Sequence, residues 1–406
     1  MRRRSNIPRL TSALCVLLHV FACVDTSSSD PPATAETDGT VSPSQTTTSD
    51  DPTASTRMGS TSDTPGSTSD DPSTTAADES STGATVDESV PMFAALGQGG
   101  RRLVSCDDGQ TWVAEQVIEM NDDDHGPYSS RDVAWGDGTF LLGMGWGNPA
   151  RIARSDDGID WTETFPPPDY VEMRGLSGIA FGAGRFVAVV GSDSWTSDDG
   201  GNAWSLAGQL PTGGNIRVVT YSPSGGGSYY AVEDGGLIYQ SADGASWSDP
   251  LPTQGSCDGG NLSRRGGIAD RDGVVVLVTD IGNVCRSDDG ASFTHHTIDT
   301  VTGDVLVRSD VIATDEGFYT AGRNVGWHSP DGTTWEATPF TLDGDDIATL
   351  AHSSETGTLV GIAWNGDDFY RSTDGGRSWI RAQAPAGNDT NQAEFGYVTA
   401  SATCPG

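Results

Sequence analysis

Seven copies of one short motif, spaced 42 to 50 residues apart and each preceded by paired apolar runs, predict an all-β fold, a seven-bladed β-propeller of four-stranded blades. The motif reads Ser, any residue, Asp, an occasional spacer, Gly, two residues, then Trp or Phe. Its copies begin at Ser105, Ser155, Ser197, Ser241, Ser287, Ser329 and Ser372, with aspartates at Asp107, Asp157, Asp199, Asp243, Asp289, Asp331 and Asp374.

Each motif reads as the turn of a β-hairpin. Asp bonds its own backbone two residues on, Gly supplies the positive φ the turn needs, and the aromatic packs inward. Upstream sits a two-strand pattern, as in 132–136 followed by 139–143 and 178–182 followed by 185–189. Two strands before the turn and one on either side of it give four per unit.

The first unit has strands at 92–96 and 102–106 but nothing before them to serve as an inner strand. The other end of the chain leaves Glu394 to Ser401 without a partner. That stretch is expected to be the innermost strand of blade 1, which closes the circle and removes two exposed edges. The propeller then spans residues 90–406.

Ahead of it, Arg2, Arg3, Arg4 and Arg9 precede an apolar stretch from Leu10 to Phe21, the pattern of a secretory signal. Residues 24–89 hold 13 carboxylates, one Arg and no aromatic residue. They cannot bury enough apolar surface to fold and are expected to form a disordered tether. Val20-Phe21-Ala22-Cys23 resembles a bacterial lipobox, which implies a signal over 1–23, lipidation of Cys23 and anchoring in the cell envelope.

The chain has 57 acidic residues, 22 basic ones that are all Arg, and a formal charge of −35. That balance excludes a nucleic-acid-binding surface and attraction to anionic lipid, so a membrane is reached through the lipid anchor only. Four cysteines remain beside Cys15 and Cys23. An exported chain favours disulfides, and three pairings are open. Cys106 with Cys404 in blade 1 and Cys257 with Cys285 in blade 5 are the preferred ones, because each pair falls in one blade.

The motif resembles the Asp-box, or BNR repeat, of sialidase-like propellers. The resemblance implies a turn between the third and fourth strands, on the face away from any active site, so the seven aspartates are structural. Seven-bladed propellers of this kind also resemble the Ycf48-like exported binding proteins, which carry an Arg patch on one face. Here Arg131, Arg174, Arg217, Arg264 or Arg265, and Arg308 stand before the inner strands of blades 2 to 6, with Asp345 and Asp346 in blade 7 and Glu394 in blade 1 at that place. Guanidinium groups suit carboxylate, sulfate or phosphate. Trp146 and Trp364 fall in loops between second and third strands, where a flat ring can stack on a sugar or pack against the next blade.

The run from Asn121 to His125 could hold calcium through its oxygens, although a solvated acidic loop is the commoner use. Neither a metal site nor a cofactor is expected, and nothing calls for more than a monomer. Sialidases use three arginines, a Tyr–Glu pair and an Asp, are usually six-bladed and carry a Phe-Arg-Ile-Pro motif. This chain has seven turns, lacks that motif and offers no Tyr–Glu pair that the sequence can assign. The expectation is a binding or scaffold module for a protein or glycan ligand, anionic if the arginines act together; the alternative is a glycoside hydrolase working at the channel mouth.

Overall fold

A computed structural model describes residues 89–399, apart from 122, 124, 147–148, 169, 171–173, 255–266, 302–305, 344–345, 365 and 367. The signal, Cys23 and all of the tether but its final residue lie outside the described residues. So do Arg264, Arg265, Asp345, Cys257 and Cys404.

Seven sheets stand in a ring, with inner strands Thr390–Thr399, Ser130–Gly136, Leu176–Gly182, Ile216–Ser222, Ile268–Arg271, Ile312–Thr314 and Ile347–His352. Each inner strand lies beside that of the following blade, and that of blade 7 lies beside that of blade 1. Blade 1 is built from both regions of the chain, in the order Thr390–Thr399, Ser89–Gly97, Arg102–Ser105, Val113–Gln116. In blade 4 the fourth segment bonds only in part: Ser248 and Leu251 donate to the carbonyls of Gln240 and Ile238 at 2.9 and 2.8 Å. Pro250 and Pro252 have no N–H to continue the ladder.

The seven turns are built alike. The Asp157 carboxylate accepts the N–H groups of Ile159 and Asp160 at 2.8 Å and the Ser155 hydroxyl at 2.9 Å, while Ser155 Oγ accepts the Gly158 N–H at 2.8 Å. Asp331 repeats this with Thr333, Thr334 and Ser329 at 2.8, 2.9 and 3.2 Å. Partial burial pushes the Asp331 carboxyl up, but the N–H groups of Thr334 and Thr333 outweigh it and hold it at about 2.

The turns also join the blades. The glycine at 158 has φ +74°, and a Cβ there would sit 2.5 Å from Met92 Sδ of blade 1; at Gly332, with φ +74°, it would sit 2.5 Å from Val276 of blade 5. Only Gly satisfies both the backbone angle and the close approach. The aromatic that follows packs against the preceding blade. Trp112 lies 4.7 Å from Phe369 of blade 7, Trp204 meets Phe165 of blade 2 edge-on at 6.2 Å, and Phe293 meets Tyr230 of blade 4 at 6.5 Å.

A second step recurs at the same end of the inner strands. The rings of Trp135, Phe181 and Tyr221 lie over Gly396, Gly136 and Gly182 of the preceding blade, leaving no room there for a Cβ.

The seam is locked by Arg101, whose side chain is wholly buried. Its Nε donates to Glu115 Oε1 at 2.8 Å and its Nη1 to Thr390 Oγ1 at 3.1 Å. The carbonyls of Asn388 and Pro385 accept further N–H groups from Nη1 and Nη2. One guanidinium thus ties blade 1 to the segment that leads into the closing strand.

Two outcomes follow. Arg101→Leu strands Glu115 and two carbonyls and should cost about 3–5 kcal/mol, read as a shift in the denaturant midpoint. The turn carboxylates have depressed titrations, so their stabilisation is complete above about pH 4 and is lost as pH falls toward 2. Denaturant midpoints measured from pH 5 to pH 2 should fall steeply over that window, with Asp331 titrating near 2 by NMR.

Candidate functional site at the channel mouth

Hairpin turns occupy one end of the blades. The starts of the inner strands and the loops between second and third strands occupy the other. There the inner strands share an irregularity. In blade 2 the register slips between Ser130 and Asp132, leaving Arg131 as the extra residue, and in blade 4 it slips between Ile216 and Val218, leaving Arg217. Ser177 and Ala348 are the extra residues of blades 3 and 7, and Asn391 is that of blade 1. A bulge bends its strand and re-aims the side chain it frees.

The two bulge arginines meet on one ring. Trp146 is held by a hydrogen bond from its own N–H to Ser129 Oγ at 2.9 Å. The Arg131 guanidinium lies 4.0 Å from its centroid and that of Arg217 lies 4.9 Å away. His125 approaches the same indole edge-on at 6.5 Å. Arg131 Nε donates to the Leu176 carbonyl at 3.1 Å, and Arg217 makes a two-pronged pair with Asp234, with Nη2 at 2.9 Å from Oδ2.

The other predicted cations are placed differently. Arg174 reaches Ser192 Oγ at 3.3 Å and Asp193 Oδ2 at 3.4 Å within its own blade. Arg308 and Arg323 lie 3.4 and 3.7 Å from the Asp346 carboxylate, and the Trp364 N–H donates to the Asp346 carbonyl at 2.8 Å. The described arginines thus divide into a stack on Trp146, Arg174 held within blade 3, and a group on blades 6 and 7. Asp123, from the acidic run, accepts the His125 N–H at 3.0 Å, as a local turn does; Asp122 and Asp124 lie outside the described residues. No cluster of three His, Cys, Asp or Glu able to hold a metal occurs among the described residues.

Glu394 does not occupy the place expected for it. The register puts Asn391, not Glu394, at the bulge position that Arg131 and Arg217 hold in their blades, and Glu394 comes three residues later along the strand. Below the mouth lies a cavity of about 270 Å³, lined by Arg131 and Arg217 and by the carboxyl groups of Asp132, Asp310 and Glu394. Asp132 accepts the N–H groups of Ile179 and Val133 at 2.7 and 2.9 Å. Burial nevertheless pushes its carboxyl up to about 7. Burial, then the charge of Asp132, pushes Glu394 up to about 8. Asp132 follows the bulge residue of blade 2, and both it and Asp310 reach the next blade, Asp310 accepting from Thr349 Oγ1 at 3.3 Å. Gln392 does the same from blade 1, donating to the Arg131 carbonyl at 3.0 Å.

Because the native state holds protons on Asp132 and Glu394 that the unfolded chain releases near pH 4, their burial costs stability as pH rises from about 4 to 8. Glu394→Gln should therefore leave stability at pH 4 almost unchanged and raise it at pH 8.5 by a few kcal/mol, at about 1.4 kcal/mol for each pH unit of displaced titration. Melting curves of the variant and the parent at both pH values test this.

No family model matches the chain, and no curated protein matches it. Among solved structures it is similar to virginiamycin B lyase from Staphylococcus aureus, with TM-score 0.52 and 12% identity over 69% of this chain and 94% of that one. It is also similar to YCF48 bound to a D1 peptide (0.47, 18%, 62% and 81%) and to the WD40 β-propeller domain of Doa1 (0.47, 13%, 71% and 87%). At these identities the likeness is one of fold, and the chain is a seven-bladed β-propeller.

Proposed function

We propose that this chain is an exported, lipid-anchored propeller that binds a protein or glycan partner bearing carboxylate groups at the mouth of its channel. The observation that carries the reading is the indole of Trp146 under the guanidinium groups of Arg131 and Arg217, brought together from two blades by two strand bulges. A flat ring with cations on it offers stacking and bidentate anion contacts in one place. Lipidation of Cys23 and the acidic tether over 24–89 would hold this face away from a membrane. The Asp-box kinship of the seven turns and the disulfides Cys106–Cys404 and Cys257–Cys285 belong to the same reading; Cys285 is fully buried in the third strand of blade 5, where oxidation would staple that blade.

A Tyr–Glu pair does exist, but it does not favour the glycosidase. Tyr239 donates to Glu233 Oε2 at 2.7 Å from a side chain that is 1% exposed and packed between blades. Burial, and then the bond to that carboxylate, pushes the phenol above its ordinary range, the wrong direction for a nucleophile.

An array of acidic peptides and sialylated glycans tests the reading. Binding should weaken about tenfold or more in Arg217→Ala and Trp146→Ala, and should fall with added salt. Unchanged binding in both variants would remove the mouth as the site.

A further inference from the structure

Blade 6 carries two arginines that the stack on Trp146 does not use. The N–H groups of Arg308 and Ser309 both donate to the Ala321 carbonyl, at 2.8 and 3.0 Å, so two residues oppose one, as at a bulge. Arg308 is thereby the counterpart in blade 6 of Arg131 and Arg217. Arg323 stands in the short turn that joins Gly317–Gly322 to Val325–Ser329, where Asn324 takes φ +55°. Bulge and turn bring both guanidinium groups to one carboxylate, that of Asp346, just ahead of the inner strand of blade 7. Arg308 Nε lies 3.4 Å from its Oδ2 and Arg323 Nε 3.7 Å from its Oδ1.

Other arginines of the chain are paired differently. Arg151, Arg185, Arg286 and Arg377 each have a carboxylate to themselves and hydrogen-bond to it at 2.5 to 2.7 Å. In the stack, Arg131 and Arg217 already donate to the Leu176 carbonyl and to Asp234. Asp346 sets one negative charge against two positive ones, and neither of its arginines makes a side-chain hydrogen bond among the described residues. The carboxylate is 14% exposed and the side chains of Arg308 and Arg323 are 41% and 71% exposed. The balancing charge is thus largely buried and the surplus of positive charge lies at the surface.

The donors determine what kind of anion fits. Each guanidinium offers five N–H groups in a planar fork. A carboxylate has two oxygens and fills one fork. A phosphate or sulfate group presents three or four oxygens in a tetrahedron and can accept from two forks together. A second observation concerns the surroundings. Trp364, in the turn between Leu359–Ala363 and Phe369–Ser372, donates its backbone N–H to the carbonyl of the same Asp346 at 2.8 Å, and it is 39% exposed. An indole at the surface beside such a pair offers an apolar face to an organic group attached to the anion.

We propose that Arg308 and Arg323 form a site for a tetrahedral oxyanion, a phosphate or sulfate group. This chemistry has two sources, the free ion and a monoester whose organic part meets Trp364. The site shares no residue with the stack on Trp146 and stands or falls without it.

Isothermal titration of the purified protein at pH 7.5 and ~20 mM sodium chloride, with phenyl phosphate, inorganic phosphate and benzoate, tests it. Saturable binding of phenyl phosphate is expected, about tenfold tighter than that of benzoate. Arg323→Ala should weaken it about tenfold, and the double variant Arg308→Ala, Arg323→Ala should abolish it. Both side chains are exposed and make no hydrogen bond, so the variants should fold; melting curves establish this before titration. A severalfold loss of phenyl phosphate in Trp364→Ala, with inorganic phosphate unchanged, assigns the site to an ester. Equal affinity for the two phosphates, unaltered by Trp364→Ala, assigns it to the free ion; both support the site. No saturable heat up to ~20 mM, unchanged affinity in the folded double variant, benzoate bound as tightly as phenyl phosphate, or a loss in Arg217→Ala in place of Arg323→Ala would each overturn it.

Discussion

A ring of sheets has a shape only if its last sheet meets its first, and here that meeting rests on one strand. Thr390–Thr399 pairs with Ser89–Gly97 from Ser89↔Thr399 to Gly97↔Thr390, and the buried guanidinium of Arg101 pins the segment that leads into it. The inner strands on either side take their positions from this one. So does the channel, because Gln392, Ala393 and Glu394 are its contribution to the wall. A loss at the seam is felt at the mouth without any residue of the mouth being touched.

The two ends of the ring use acidic residues in opposite ways. At the turn end, each aspartate is surrounded by N–H and hydroxyl donors, and the turn consumes its charge. In the channel, Asp132 accepts two N–H groups and Glu394 one, and burial works against the charge of both. Most of the surface arginines pair with nearby carboxylates, as Arg185 does with Asp198 and Arg377 with Glu316, so the excess of acid is not a uniform field. It is neutralised locally in some places and stored in the channel.

The blade count and the hairpins were legible because Asp, Gly and an aromatic at fixed offsets have a local cause. The strands at 92–96 and 102–106 and the leftover segment at the far end were legible for the same reason. What governs the mouth was not. A bulge adds one residue without leaving a mark in the periodicity, so Arg131 and Arg217 could be named by spacing but not aimed. Their meeting on Trp146 depends on loops from two blades. The pairing of Arg174 with Asp193 and of Arg308 with Asp346 joins residues far apart in sequence.

The composite first blade also has a history within each molecule. Ser89 and Thr399 are partners separated by 310 residues (399 − 89). Until the later strand is present, the earlier one shows a free edge whose side chains from Met92 to Leu96 are apolar and destined for burial. Such an edge pairs with whatever extended chain it meets first, including another copy of itself. The time between the appearance of the two strands is therefore a window of vulnerability, and the contact that makes the finished ring robust also makes the unfinished chain adhesive.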